Sequence, residues 1–337
     1  MQAIEVDTLT KGLQSYFVEK LNNISERFGN SKKFEEVEWM RDSGKHGGGS
    51  RFEARDLKIF NRASVNVSQV HYEDNTDKQL SSATAISTII HPKNPHVPSM
   101  HMHISWTQMQ DGYAYWRIMA DLNPSIKNEA DKVQFNEMLK KSSGKYYEEG
   151  SMQGNIYFNI PVLKRTRGVS HFYLENFNTN DFEVDKAFAK MMGENIIDSY
   201  IGIIENDIKN NPNFTSAEKE EQLAYHTLYF FQVLSLDRGT TSGLLVHNEN
   251  DLGIMGSIPS HINRELLASW VELMPKPQNK LLLSLLKVLP NEIPTSVDES
   301  TKRKLASCVR KHYIKYPQAL SMQAAGTVIP DTVNNHS

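Results

Sequence analysis

"HPKNPHVPSMHMHIS", residues 91–105, carries four of the chain's 12 histidines: His91, His96, His101 and His103. Imidazole is costly to bury unless it is hydrogen-bonded or bound to metal, so this density marks either a polar rim or a chemical site. Strand periodicity is two. It puts His101, His103 and Ser105 on one face and Met102, Ile104 and Trp106 on the other. In the preceding β-branched run Ser87, Ile89 and His91 align in the same way, so adjacent strands could bring His91 toward His101. Imidazoles meeting there would suit a divalent transition metal: iron, manganese or copper. The spacing matches no established ligand motif, and a hydrogen-bonded structural histidine is the competing reading of each.

"LDRGT", residues 236–240, is the second constellation. Asp237 and Arg238 are expected at a strand end, where the turn at Gly239 aims both side chains into a cleft. There the carboxylate would accept N–H bonds and the guanidinium would grip a substrate carboxylate in bidentate fashion. An ordinary turn with an exposed ion pair is the alternative. "HFYLENF" places His171, Tyr173 and Glu175 on one strand face. Gly47 to Gly49 could cradle an anion, but the phosphate-loop Lys-Ser pattern is missing and a flexible turn is preferred. The basic run through Lys302, Arg303, Lys304, Arg310, Lys311 and Lys315 reads as a solvated helix face.

These residues need a scaffold. Leu9, Leu13, Phe17, Leu21 and Ile24 recur at helical spacing and predict an amphipathic helix over 8–28. Alternating and β-branched segments predict successive strands from about 57 to 122, then "NIYFNIPVL" and "SHFYLENF" beyond a helix near 126–141. A helix opens at Asp181. Another starts at the capping box "TSAE" and leads into "LYFFQVLSL", read as a strand. Short links favour antiparallel pairing, so the fold class is α+β: a large antiparallel sheet flanked by helices on both faces. Residues 1–316 are expected to form one catalytic domain, with helices over 261–316 and a disordered tail over 317–337.

The 337 residues are 39% hydrophobic and 23% charged, which suits a globular chain. With 37 basic against 40 acidic residues there is no overall field for nucleic acid. No apolar run is long enough for a membrane span, and the N-terminus lacks a secretory pattern, so a cytoplasmic location is expected. A single cysteine, Cys308, cannot close an internal disulfide or build a thiolate metal site.

The segments "GGGSRF", "VNVSQVH", "SATAISTIIHPKNPHVPSMHMHIS", "ADLNP", "RGVSHFYLENFNTNDF" and "DRGTTSGL" together resemble the oxygen-dependent coproporphyrinogen III oxidases, in order, over about residues 38–260. The resemblance implies a homodimer and O2-dependent decarboxylation of two propionates of a porphyrinogen to vinyl groups, with no organic cofactor. It implies that His101 is a proton donor, that Ser87 contacts substrate, and that Asp237 gathers pyrrole N–H groups beside the carboxylate-binding Arg238. Histidines matching His91 and His101 have been assigned to metal, and His103 joins them here as a third candidate.

The chain also departs from that pattern. His103, Ile104 and Ser105 stand where the family has Asn-Val-Arg, and His247, Asn248 and Glu249 stand where it has Gly-Gly-Arg. All six are carried as substrate-binding positions. Two clamp arginines are thereby missing, and Lys93, Arg117 or Arg167 are the candidates to restore the charge. Exchanging arginine for histidine also opens an alternative. On the same scaffold a metal-dependent oxidase could use His101 and His103 with His91, His171 or His247, and act on a smaller amino-acid- or peptide-derived substrate. A third alternative is a non-enzymatic binding protein that keeps the sheet.

Overall fold

The computed structural model describes residues 2–72, 74, 77–246 and 250–326. Its centre is a seven-stranded antiparallel sheet in the order β1-β2-β3-β4-β5-β6-β9. The strands are β1 (Glu35–Met40), β2 (Gly47–Glu53), β3 (Phe60–His71), β4 (Leu80–Pro92), β5 (Ser99–Met109), β6 (Ala114–Asn123) and β9 (Ser170–Phe177). A two-residue hairpin, β7 (Asn159–Ile160) with β8 (Arg165–Thr166), precedes β9.

Strand alternation sorts the sheet into two unlike faces. One carries Val65, Val67, Ile86, Ile90, Met102, Ile104, Trp106 and Ile118, all buried in a dry core. Helices α1 (Gln2–Phe28) and α4 (Phe182–Asn210) cover it. The predicted N-terminal stripe delivers Leu13, Phe17, Leu21 and Ile24 into that core. The opposite face presents Ser87, His101, His103, Ser105 and Arg117 to a cavity. Over it lie α3 (Tyr147–Tyr157), packed on β9, and the C-terminal half of the chain, which has its own apolar core. α2 (Glu129–Ser143) packs on α4.

Four local expectations are corrected. "LYFFQVLSL" is the end of helix α5 (Ser216–Ser235), in which every residue from Tyr225 to Ser235 is buried. A helix buried all round shows no polar stripe, and its aromatic and β-branched content imitates a strand. "NIYFNIPVL" begins as the last three residues of α3 and ends in a 3-10 turn, and only Asn159–Ile160 between them are strand. Gly47 to Gly49 belong to β2 and are no flexible turn; a Cβ at Gly49 would lie 2.0 Å from the Val67 carbonyl oxygen, so only glycine permits this strand spacing. The expected disordered tail begins with a packed 3-10 segment, Pro317–Met322, after which the Ala324 N–H donates to the Leu236 carbonyl at 2.9 Å. The remaining C-terminal helices are α6 (Arg238–Val246), α7 (Asp251–Ile254), α8 (Arg264–Ser269), α9 (Gln278–Val288) and α10 (Glu299–Lys315).

Candidate active site

The register of β4, β5 and β6 sets the floor of the cavity. Ser87 pairs with His103, Ile89 with His101, and His101 in turn with Asp121 on β6. The cavity holds about 330 Å³, and residues of α3, α5 and α6 roof it. That is the lower end of the range for small-molecule sites.

His101 is held from the sheet side. Its Nδ1 lies 2.9 Å from Asp121 Oδ1. Asp121 is fully buried, and its other oxygen accepts from Arg167 at 2.8 Å and from Asn123 at 2.5 Å. Burial pushes the Asp121 carboxyl up, but Arg167 and His101 outweigh it and leave the group below its ordinary range. A charged carboxylate on Nδ1 fixes the imidazole's tautomer and orientation, so the remaining ring nitrogen is the one available for proton transfer. Arg167 is itself buried between the rings of Phe158 and Tyr229, at 4.8 and 4.9 Å.

Asp237 sits opposite, on the roof, and not at a strand end. It lies between α5 and α6, where its Oδ2 accepts the Thr240 N–H at 2.6 Å and caps the new helix. Its Oδ1 accepts the Tyr157 hydroxyl at 2.7 Å. Arg238 opens α6 and lines the cavity beside it. Gln323, from the expected tail, braces this corner by donating to Thr241 Oγ1 at 2.5 Å and to the Tyr313 hydroxyl at 3.0 Å.

The remaining expected residues divide. Ser87, His103 and Ser105 line the cavity. His103 Nε2 is 3.0 Å from Ser105 Oγ, and burial, then Arg117 and His101, pull its pKa down to about 3. Ile104 does not reach the cavity: strand parity turns it into the dry core, where it is wholly buried. His247, Asn248 and Glu249 lie outside the described residues. Of the three candidate compensating cations, Arg117 and Arg167 line the cavity and Lys93 does not.

The metal set expected of His91, His101 and His103 does not assemble. His91 is wholly buried, and both ring nitrogens are engaged. Nδ1 accepts from the Ser99 hydroxyl at 2.8 Å, and Nε2–H donates to the Ser257 carbonyl at 3.1 Å. That is a neutral, structural imidazole, and burial and His226 hold its pKa well below the usual value. His96 meets Glu218 at 3.0 Å, and His171 meets Asn155 Oδ1 at 2.8 Å and the Arg167 carbonyl at 2.6 Å. Among the described residues no three His, Cys, Asp or Glu side chains gather as a ligand set. The described residues do not fit a metal.

Sequence reasoning did not single out Asp121 or Tyr157, and it named Arg117 and Glu175 separately without pairing them. A carboxylate in the otherwise apolar run "IMADL" was the available signal for Asp121. Its partner became visible only with the strand register.

A family model for coproporphyrinogen III oxidase matches residues 5–287. The chain belongs to the coproporphyrinogen III oxidase family. The match extends the resemblance at both ends, through α1 and to α9. The mitochondrial oxygen-dependent coproporphyrinogen-III oxidase of Rattus norvegicus is 27% identical over 276 residues, which is 74% of this chain and 60% of that protein. The oxygen-dependent coproporphyrinogen-III oxidase of Rickettsia bellii is 28% identical over 244 residues, covering 68% of this chain and 85% of the relative. The one from Drosophila melanogaster is 27% identical over 285 residues, 77% and 70% of the two chains. The chain thus spans about three fifths of its mammalian relatives. Among the described residues no helix is long and apolar enough to cross a membrane. The relatives include mitochondrial and bacterial proteins, so they do not favour the expected cytoplasmic location.

Proposed function

We propose that this member of the coproporphyrinogen III oxidase family carries out the O2-dependent oxidative decarboxylation of porphyrinogen propionates, coproporphyrinogen III being the substrate. One observation carries the reading. An anchored histidine, His101, and a helix-capping carboxylate, Asp237, face one cavity from opposite walls in a chain of this family.

The chemistry suits those two groups. A porphyrinogen directs its pyrrole N–H groups inward, where one carboxylate accepts several together, and Asp237 takes that role. Each propionate becomes vinyl and CO2 while O2 accepts two electrons and two protons to give H2O2. One of those protons comes from the substrate's side-chain CH2 and one from solvent. His101, with Nδ1 held by Asp121, handles the proton beside the reacting side chain. Ser87, His103, Ser105 and Arg238 complete the substrate surface. Positioning the pyrrole beside O2 in a closed pocket uses proximity in place of an organic cofactor.

We also propose a homodimer, as the family resemblance implies; the outer edge of β1 carries no partner strand among the described residues. Turnover is tested by incubating purified protein with coproporphyrinogen III in air and under nitrogen, then separating the products after oxidation to porphyrins. Divinyl product formed only in air supports the reading. Unchanged substrate in both refutes it.

A further inference from the structure

We infer that Arg117 is the cavity's receptor for a substrate carboxylate and that Glu175 is a resident counter-ion which that carboxylate displaces. The inference rests on the porphyrinogen reading and says how the propionates of such a substrate are held.

Arg117 stands on the cavity face of β6, directly opposite Ser105 on β5. Ser105 is the position where the family pattern places an arginine. The cation has therefore moved one strand over and still faces the same space. Its side chain is 16% exposed and that of Glu175 only 2%, so the two charges meet largely away from water.

The pair they form is incomplete. Arg117 touches Glu175 through one contact, 3.5 Å from a terminal nitrogen to Oε1. Arg117 Nε and Glu175 Oε2 are buried and have no hydrogen-bond partner. A guanidinium matches a carboxylate best through two parallel bonds, so this one leaves its buried Nε–H without an acceptor. Unsatisfied buried donors are costly, and an entering carboxylate removes that cost.

Glu175 is the partner that can yield. The charged and titratable groups facing it are Arg117 from β6, Tyr173 from its own strand, Arg238 from α6 and Tyr157 from α3. Burial pushes its carboxyl up, and Arg117, Tyr173 and Arg238 only partly offset that. When a propionate takes the guanidinium, Glu175 takes a proton from solvent. One carboxylate enters and one is neutralised, so the charge of the site is conserved.

The probe is coproporphyrin III, the oxidised ring, which carries four propionates and cannot react; mesoporphyrin, with two, is the comparison. Binding is titrated by fluorescence, and proton uptake by calorimetry in buffers of different ionisation enthalpy. Arg117→Gln alone leaves Glu175 unpaired and can unfold, so the neutral double variant R117Q/E175Q is the working one. It should bind coproporphyrin III about 10–100-fold more weakly than wild type. Glu175→Gln alone should bind it about threefold or more tightly and take up about one proton fewer. A folded double variant with wild-type affinity, or weaker binding by Glu175→Gln, overturns the inference while leaving the porphyrinogen reading intact. A wild-type protein that binds neither ring overturns both.

Discussion

His101 and Asp121 face each other across β5 and β6, with Nδ1 and Oδ1 2.9 Å apart, and Asp121 passes the contact on to Arg167 at 2.8 Å. The acid of this relay is wholly buried and the histidine borders the cavity. That order gives His101 a fixed tautomer. His101→Gln should therefore lower turnover about 10²–10⁴-fold, the usual span for loss of a general acid or base. Asp121→Asn should cost a comparable factor. It should also destabilise the fold by roughly 3–5 kcal/mol, because Arg167 is left buried and uncompensated. Steady-state rates and denaturant unfolding on both variants check this.

Strand parity makes neighbouring residues behave differently. Ile104→Ala should destabilise by about 2–5 kcal/mol through a cavity in the dry core, with KM of the folded protein unchanged. His103→Ala, one residue earlier, should raise KM with a smaller loss of stability. Parallel unfolding curves and substrate titrations distinguish the two.

His91 should act on stability alone. His91→Ala leaves Ser99 and the Ser257 carbonyl without their partner and opens space beside Tyr229. The expected loss is roughly 2–4 kcal/mol, with normal turnover per folded molecule and no change in metal content. Urea unfolding, rate and elemental analysis on one preparation test all three points.

Away from the cavity, Asp131 of α2 and Asp207 of α4 share a hydrogen bond while buried. Burial, then Asp131, raises the Asp207 pKa to about 8. The folded state thus holds a proton that the unfolded state releases near pH 4. The stability this proton provides is full below about pH 4 and falls as pH rises toward 8. Asp207→Asn should remove that slope and raise stability at pH 9 by roughly 1–3 kcal/mol. Unfolding free energies at pH 5, 7 and 9 measure it.

Much of the cavity floor was legible because a strand's period is two: His101, His103 and Ser105 needed no three-dimensional information to share a face, while Ser87 joined them through the β4–β5 register. The same rule excluded Ile104, which the family resemblance alone had carried into the site. The roof was less legible. Residues Tyr225 to Ser235 are buried on every side, so α5 carried no helical stripe and Asp237 was placed at a strand end. Partners were the least legible of all. Asp121 meets His101 through register, and Arg167 reaches it from a connection 46 residues away. The crowded histidines suggested a metal, yet each found its own oxygen partner: Ser99, Glu218, Asp121 and Ser105.

Asp237 tests the central claim most directly, because its carboxylate is the one group assigned to hold the pyrrole N–H donors. The measurement is aerobic conversion of coproporphyrinogen III by wild type and Asp237→Asn, quantifying divinyl product and H2O2 together. Asparagine keeps one oxygen for Tyr157 or the Thr240 N–H, so the fold should survive. The account predicts two H2O2 per divinyl product in wild type, and turnover at least about 10²-fold lower in the variant. Equal turnover by a folded Asp237→Asn protein, or no divinyl product from wild type, would contradict it.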